Sequence, residues 1–202
     1  MGKEEESVFI PSLEEIEAER SRLKQNKREK RSGRSGGRGV GRVLILLVLA
    51  AAIAFLLSYL WFPVVRIYGT SMEPNLTEGD IVLCLKSDKI RSGDVVSFYH
   101  GNKLLLKRAV GLSRDWVEID AEGNVHINGS KLSEPYLLNK SFGDSDLKYP
   151  YQVPDGRIFV LGDNREISVD SRNSEIGCVG ADQLCGKVLF RIWPLERFGT
   201  LD

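Results

Sequence analysis

Residues 104–110 read Leu-Leu-Leu-Lys-Arg-Ala-Val. The run is mostly apolar, shorter than an ordinary helix, and carries two adjacent cations at its centre. Read as a strand, it sets Leu105 and Lys107 on one face and Leu106 and Arg108 on the other. The same texture recurs on both sides. Short runs rich in β-branched and apolar residues appear at 80–85, 94–99, 116–119 and 125–127, and later at 157–161 and 186–193. Asn128-Gly129 directly after the 125–127 run is a tight-turn signal. No segment beyond residue 63 keeps a 3.6-residue period with caps. The sequence therefore predicts a mostly β domain with few helices.

Upstream the pattern changes. Val43 to Phe62 reads VLILLVLAAAIAFLLSYLWF and contains no charge. At about 1.5 Å per helical residue, twenty residues match a hydrocarbon core of about 30 Å. Tyr59 and Trp61 stand at its end, where an interfacial aromatic belt belongs, and Pro63 discourages further helix. The run is long and ends in bulky residues, unlike a cleaved secretory signal, so an uncleaved signal-anchor is expected over 43–62. Residues 20–42 hold ten Lys or Arg and one acid, Glu29. The positive-inside rule then places the N-terminus in the cytoplasm and everything after Pro63 outside the cell membrane, as a single-pass protein in the lipid bilayer. Residues 1–42 read as a charged tail. Ser12-Leu13-Glu14-Glu15 in it fits a capping box for a short helix, and the Gly/Ser/Arg-rich stretch 32–41 reads as a flexible linker.

Lys plus Arg equals Asp plus Glu, 28 of each, which suggests no nucleic-acid partner. Three cysteines do not make a disulfide scaffold. Cys178 and Cys185 are read either as one bond in an oxidising compartment or as two small buried hydrophobes. The two histidines, His100 and His126, fall on strand-like segments and read as ordinary residues, which leaves a Ser/His/Asp triad little to draw on. No Cys/His spacing fits zinc, and Gly162-Asp163-Asn164-Arg165 lacks the spacing of a phosphate loop.

What remains is serine plus lysine. Ser71 sits in a Gly/Pro-flanked loop, Tyr68-Gly69-Thr70-Ser71-Met72-Glu73-Pro74, stiffened by the restriction Pro74 places on Glu73. The loop either turns the chain or displays a hydroxyl for chemistry. Lys107 either lies at a strand edge with its head in water or points inward, where desolvation would lower its pKa and free an amine to accept a serine proton. A third polar stretch, GDNREISVDSR at 162–172, follows a buried-looking strand and reads as a solvated loop or a positioning network.

Taken in order behind one N-terminal anchor, Ser71-Met72-Glu73-Pro74, Lys107-Arg108 and Gly162–Arg172 resemble the S-M-x-P, K-R and G-D-N-R-x-x-S-x-D-S-R boxes of bacterial type I signal peptidases. Ile127-Asn128-Gly129 and Glu134-Pro135-Tyr136-Leu137 resemble that family's region between boxes. The resemblance implies a signal-peptidase/LexA-like β-fold over 63–202, close to the single-span Gram-positive-like forms. It implies a Ser/Lys protease that removes signal peptides from exported preproteins after small-x-small sites through an acyl-enzyme, with no metal or organic cofactor. Ser71 would be nucleophile and Lys107 general base, with Ser168 orienting the lysine amine. Asp170 and Arg172 would form a supporting ion pair, and Asp163, Asn164 and Arg165 would shape the same wall. Met72 and Gly69 would border the substrate groove. Relatives with a serine at the position of Gly69 gain a side-chain oxyanion donor that this chain lacks. Where many relatives carry Pro-Gly-Asp, this chain has Ser113-Arg114-Asp115, which predicts a different turn. Two other readings bear on the same features. A self-cleaving repressor-type protease would need a DNA-binding module and no membrane span. A catalytically silent, membrane-anchored assembly or binding protein on the same fold would be favoured by loss of Ser71 or Lys107, and both are present.

Overall fold

A computed structural model describes the backbone of residues 13–87 and 89–201, with the side chains of 13, 28–39, 57, 59 and 60 outside the described set. The chain divides into two units, residues 1–56 and 57–202. The first is the body of helix α1, which runs Leu13–Trp61. Glu14 and Glu15 lie in its first described turn, where acids oppose the helix dipole favourably; Ser12, the predicted cap, lies outside the described residues. The helix is continuous through 32–41, where composition predicts a linker. Each glycine there costs about 1 kcal/mol relative to alanine, so this stretch has the weakest intrinsic helicity in α1. Val43, Leu46, Leu47, Val48 and Phe55 are all exposed. Among the described residues, no helix is long and apolar enough to cross a membrane.

The second unit is built of antiparallel strands, as the alternating runs predict. They are β1 (Val64–Arg66), β2 (Ile81–Leu85), β3 (Val95–His100), β4 (Lys103–Gly111), β5 (Trp116–Ile119), β6 (Val125–Ile127), β7 (Ser130–Lys131), β8 (Tyr151–Gln152), β9 (Arg157–Leu161), β10 (Val179–Gly180) and β11 (Leu184–Trp193). A seven-stranded sheet has the order β1-β2-β11-β3-β4-β9-β10, and a four-stranded sheet the order β7-β6-β5-β8. β4 is long and central because its C-terminal half, from Leu106 onward, is buried on both faces. Successive residues feed different clusters, as a period of two demands. Val95 packs with Val65, Met72, Leu76 and Val82, whereas its neighbour Val96 packs with Phe98, Ala109 and Val160. A third cluster joins Val110, Phe159 and Leu161 to Val117, Ile119 and Val125 of the smaller sheet. Fully burying one such side chain stabilises the fold by roughly 1.5–3 kcal/mol.

All three cysteines are free thiols, so the bond considered for Cys178 and Cys185 is not made. The two lie in different surroundings. Cys178 joins the cluster under the smaller sheet, while Cys185 is a half-buried residue of β11. Burial pushes the Cys84 thiol up to about 11 and raises that of Cys178, which keeps both protonated and unreactive.

Candidate active site

β4 delivers Lys107 to the interior. The residue pairs with Val96 of β3 and is 3% exposed. Its Nζ lies 2.5 Å from Ser71 Oγ. Desolvation lowers the amine from an ordinary 10.5 to about 8; Asp170 and Asp163 oppose that fall, and Arg172 reinforces it. The alternative of a snorkelling edge lysine is thereby excluded.

The loop carrying Ser71 is closed at its base by Ile67 N–H donating to Asp80 C=O and Gly79 N–H donating to Ile67 C=O. Leu76 N–H donates to Met72 C=O, and Asp80 accepts from the Thr77 backbone and hydroxyl. Two distant cations hold it from outside. Arg191 Nη1 donates to Asn75 C=O and Asp80, and Arg197 donates to Pro74 C=O and Thr77 Oγ1. Sequence reasoning missed both arginines, because nothing in their local pattern marks contacts more than a hundred residues away.

The segment 162–172 closes the other side. Asn164 N–H donates to Ser71 C=O at 3.0 Å, which ties the two loops at the nucleophile. Gly162 is required by close approach: a Cβ there would lie 2.1 Å from Ser168 Oγ and 2.6 Å from Ser71 O. Arg172 grips Asp170 through Nε and Nη2, and the second Asp170 oxygen also accepts from Gly162 N–H. Arg108 grips Asp163 in the same two-pronged way, and Asn75 donates to the same carboxylate. Arg165 pairs with Glu134. All three ion pairs are buried, so removing one partner of any pair leaves an uncompensated charge. Tyr136 stacks on Arg108, with its ring centroid 3.9 Å from the guanidinium carbon, and donates its hydroxyl to Glu134. Glu134 and Tyr136 belong to the site's frame; the sequence reading noted their segment without giving either a role.

Two predicted placements differ. Ser168 Oγ is buried but makes no hydrogen bond, so the bond to the lysine amine implied by the resemblance is absent here. Met72 is only 2% exposed and serves chiefly as core, touching the groove from beneath. Gly69 does border the groove, with a positive φ of 83°. A small cavity of about 40 Å³ is lined by Gly69, Ser71, Met72, Leu104, Leu106 and Lys107. Pairing of β4 with β9 begins only at Arg108, so the backbone before it has an open side next to this cavity. His100 ends β3 and His126 lies on β6. Among the described residues, no group of His, Cys, Asp and Glu is placed to hold a metal ion.

A buried lysine beside a serine, in a mostly β domain, is an arrangement for acyl transfer by a neutral amine and a hydroxyl. Residues 40–193 match the family model described as signal peptidase, peptidase S26. Signal peptidase IB of Staphylococcus aureus (strain Mu50 / ATCC 700699) is 34% identical over 176 residues, covering 75% of this chain and 90% of that protein. Signal peptidase I of Bacillus licheniformis is 31% identical over 172 residues, covering 77% and 90%. The crystal structure of a signal peptidase I from Enterococcus faecalis V583 is 30% identical, with a TM-score of 0.43, covering 49% of this chain and 96% of that one.

Proposed function

The chain belongs to the peptidase S26 family of signal peptidases, serine endopeptidases that cut signal peptides from preproteins, and we propose that it does so with Ser71 as nucleophile and Lys107 as general base. The observation that carries this assignment is the 2.5 Å approach of Lys107 Nζ to Ser71 Oγ inside a dehydrated pocket. The neutral amine takes the Ser71 proton as Oγ attacks the scissile carbonyl. The Ser71 N–H faces the developing oxyanion, without a side-chain donor from Gly69. The ammonium then protonates the leaving amine, an ester to Ser71 remains, and Lys107 deprotonates the water that hydrolyses it. Ser168 would orient the amine by turning its buried hydroxyl, which no residue holds here, Lys107 included. Asp170 with Arg172, and Asp163, Asn164 and Arg165, keep the wall in place.

The substrate strand adds to the open side of β4. A cavity of about 40 Å³ takes a methyl group and little more, which suits cleavage after small-x-small segments. The uncharged run 43–62 anchors the protein as a single span, leaving 1–42 in the cytoplasm and the peptidase domain 63–202 outside. Its support is the lack of charge in that run and the ten basic residues in 20–42. Anchoring enzyme and signal peptide in one bilayer raises their effective concentration.

The test is cleavage of a preprotein bearing an Ala-x-Ala site, in detergent or lipid, with N-terminal sequencing of the product. Ser71→Ala and Lys107→Ala each abolish cleavage while the fold persists. Activity that survives Lys107→Ala overturns the assigned mechanism.

A further inference from the structure

A second and larger cleft, of about 450 Å³, is lined by the later part of the nucleophile loop, Glu73, Pro74 and Thr77, whereas the small cavity is lined by its earlier part, up to Met72. Glu73 and Pro74 form one wall, Asn164, Arg165 and Glu166 the other, and Leu138 stands at the rim. It has no part in the dyad, yet it begins two residues from Ser71. Asn164, whose N–H holds the Ser71 carbonyl, also lines it. We infer that this cleft receives the first residues of the mature protein, those just after the scissile bond, and prefers lysine or arginine over acidic side chains there. The inference rests on Ser71 being the nucleophile.

Three observations carry it. First, Asn164 both lines the cleft and bonds the Ser71 carbonyl, so the cleft adjoins the nucleophile, and it has room for two or three side chains. Second, Arg165 is 2% exposed and lines the cleft, yet its Nη1 has no partner, while Nε holds Gly162 C=O and Nη2 holds Glu134. That N–H has no surface of its own, so Arg165 offers the cleft neither a free donor nor a free charge. Third, the free charge in the cleft is negative. Neither the Glu73 nor the Glu166 carboxylate has an ion-pair or hydrogen-bond partner among the described residues. Asp163 is neutralised by Arg108, Arg165 is neutralised by Glu134, and Lys140 turns its ammonium to Asn124 Oδ1 at 2.9 Å. Two unpaired carboxylates therefore line the cleft against one ammonium, that of Lys140, which a neutral amide holds.

The experiment uses the full chain in detergent and peptide substrates with one constant signal segment and Ala-x-Ala site. The first three mature positions carry lysine, glutamate or glutamine. At low salt kcat/KM is expected to be about fivefold higher for the lysine peptide than for the glutamate peptide, and the gap closes at high salt. The double variant Glu73→Gln/Glu166→Gln brings the ratio near one, and Glu73→Lys/Glu166→Lys inverts it. Equal wild-type rates for the lysine and glutamate peptides, or an unchanged ratio in the double variants, overturn the inference. Failure of wild type to cut any of the peptides would instead overturn the Ser71 reading on which it rests.

Discussion

The burial of Lys107 has a direct kinetic consequence. With the amine lowered to about 8, roughly a tenth of the enzyme holds it neutral at pH 7, whereas a lysine at its ordinary value of 10.5 would offer roughly one molecule in 3,000. The ratio is roughly 300-fold, or about 3.4 kcal/mol of base availability at neutral pH. The perturbation is pH itself. kcat/KM for a fluorogenic peptide with an Ala-x-Ala site, measured in one detergent at constant ionic strength, should rise about tenfold per pH unit from 6 and bend over near 8. Lys107→Arg removes the rise along with the activity, since a guanidinium stays protonated throughout. A profile that is flat between pH 6 and 9, or one that climbs without a bend to 10, would refute the claim that dehydration of Lys107 supplies the base.

The same shift bears on stability. The unfolded chain holds the Lys107 proton more tightly than the folded one, so the folded state is penalised below pH about 8 and relieved as pH rises toward 10.5. Lys107→Met should therefore stabilise the domain at pH 7 by about 2–3 kcal/mol in urea melts, with the gain shrinking above pH 8. Gly162→Ala drives a Cβ into Ser168 and the Ser71 carbonyl, and should cut kcat about a hundredfold or more in the same peptide assay; a wild-type kcat would show that the two loops yield freely. Asp163→Asn strips the counter-charge from buried Arg108 and should cost about 3–5 kcal/mol by denaturant titration, where a loss below about 1 kcal/mol would mean that water reaches the pair.

Much of this was legible because the signals are local. The runs at 80–85, 94–99, 104–110, 116–119, 125–127, 157–161 and 186–193 all became strands, since short β-branched and apolar runs bounded by turn residues fit a half-buried pleated surface. β1, β7, β8 and β10 are two or three residues long, and none is followed by the Asn-Gly turn that marked the equally short β6. The inward turn of Lys107 was one of two readings. The deciding fact, that its neighbours on β3 are buried on both faces, is a property of the sheet and not of the run. Arg191 and Arg197 were invisible for the same reason. Ser113-Arg114-Asp115 is instructive in another way. Arg114 takes a positive φ of 69°, and the turn is held because Arg114 and Ser113 both bond Asp155 while Asp115 accepts from Leu112 N–H.

The pairing of Asp170 with Arg172 explains how the lysine stays weakly basic in so charged a neighbourhood. A lone buried carboxylate at Asp170 would hold the Lys107 ammonium protonated, defeating its use as a base. Arg172 binds both oxygens of that carboxylate and pushes the amine the other way, so desolvation is left as the dominant influence. The cost is a buried guanidinium that must itself be satisfied, and it is: Nη1 donates to Phe142 C=O and Nη2 to Ser168 C=O. The latter bond fixes the backbone of the residue assigned to orient the amine. Substituting Arg172 with a neutral residue would thus do two things at once, raising the lysine's affinity for its proton and loosening Ser168. A neutral replacement at both Asp170 and Arg172 would restore the first but not the second. The acid limb of the pH profile should therefore move up in Arg172→Gln and return in the Asp170→Asn/Arg172→Gln pair, while kcat on the plateau stays low in both. Recovery of the plateau in the pair would show that the ion pair acts on Lys107 through charge alone.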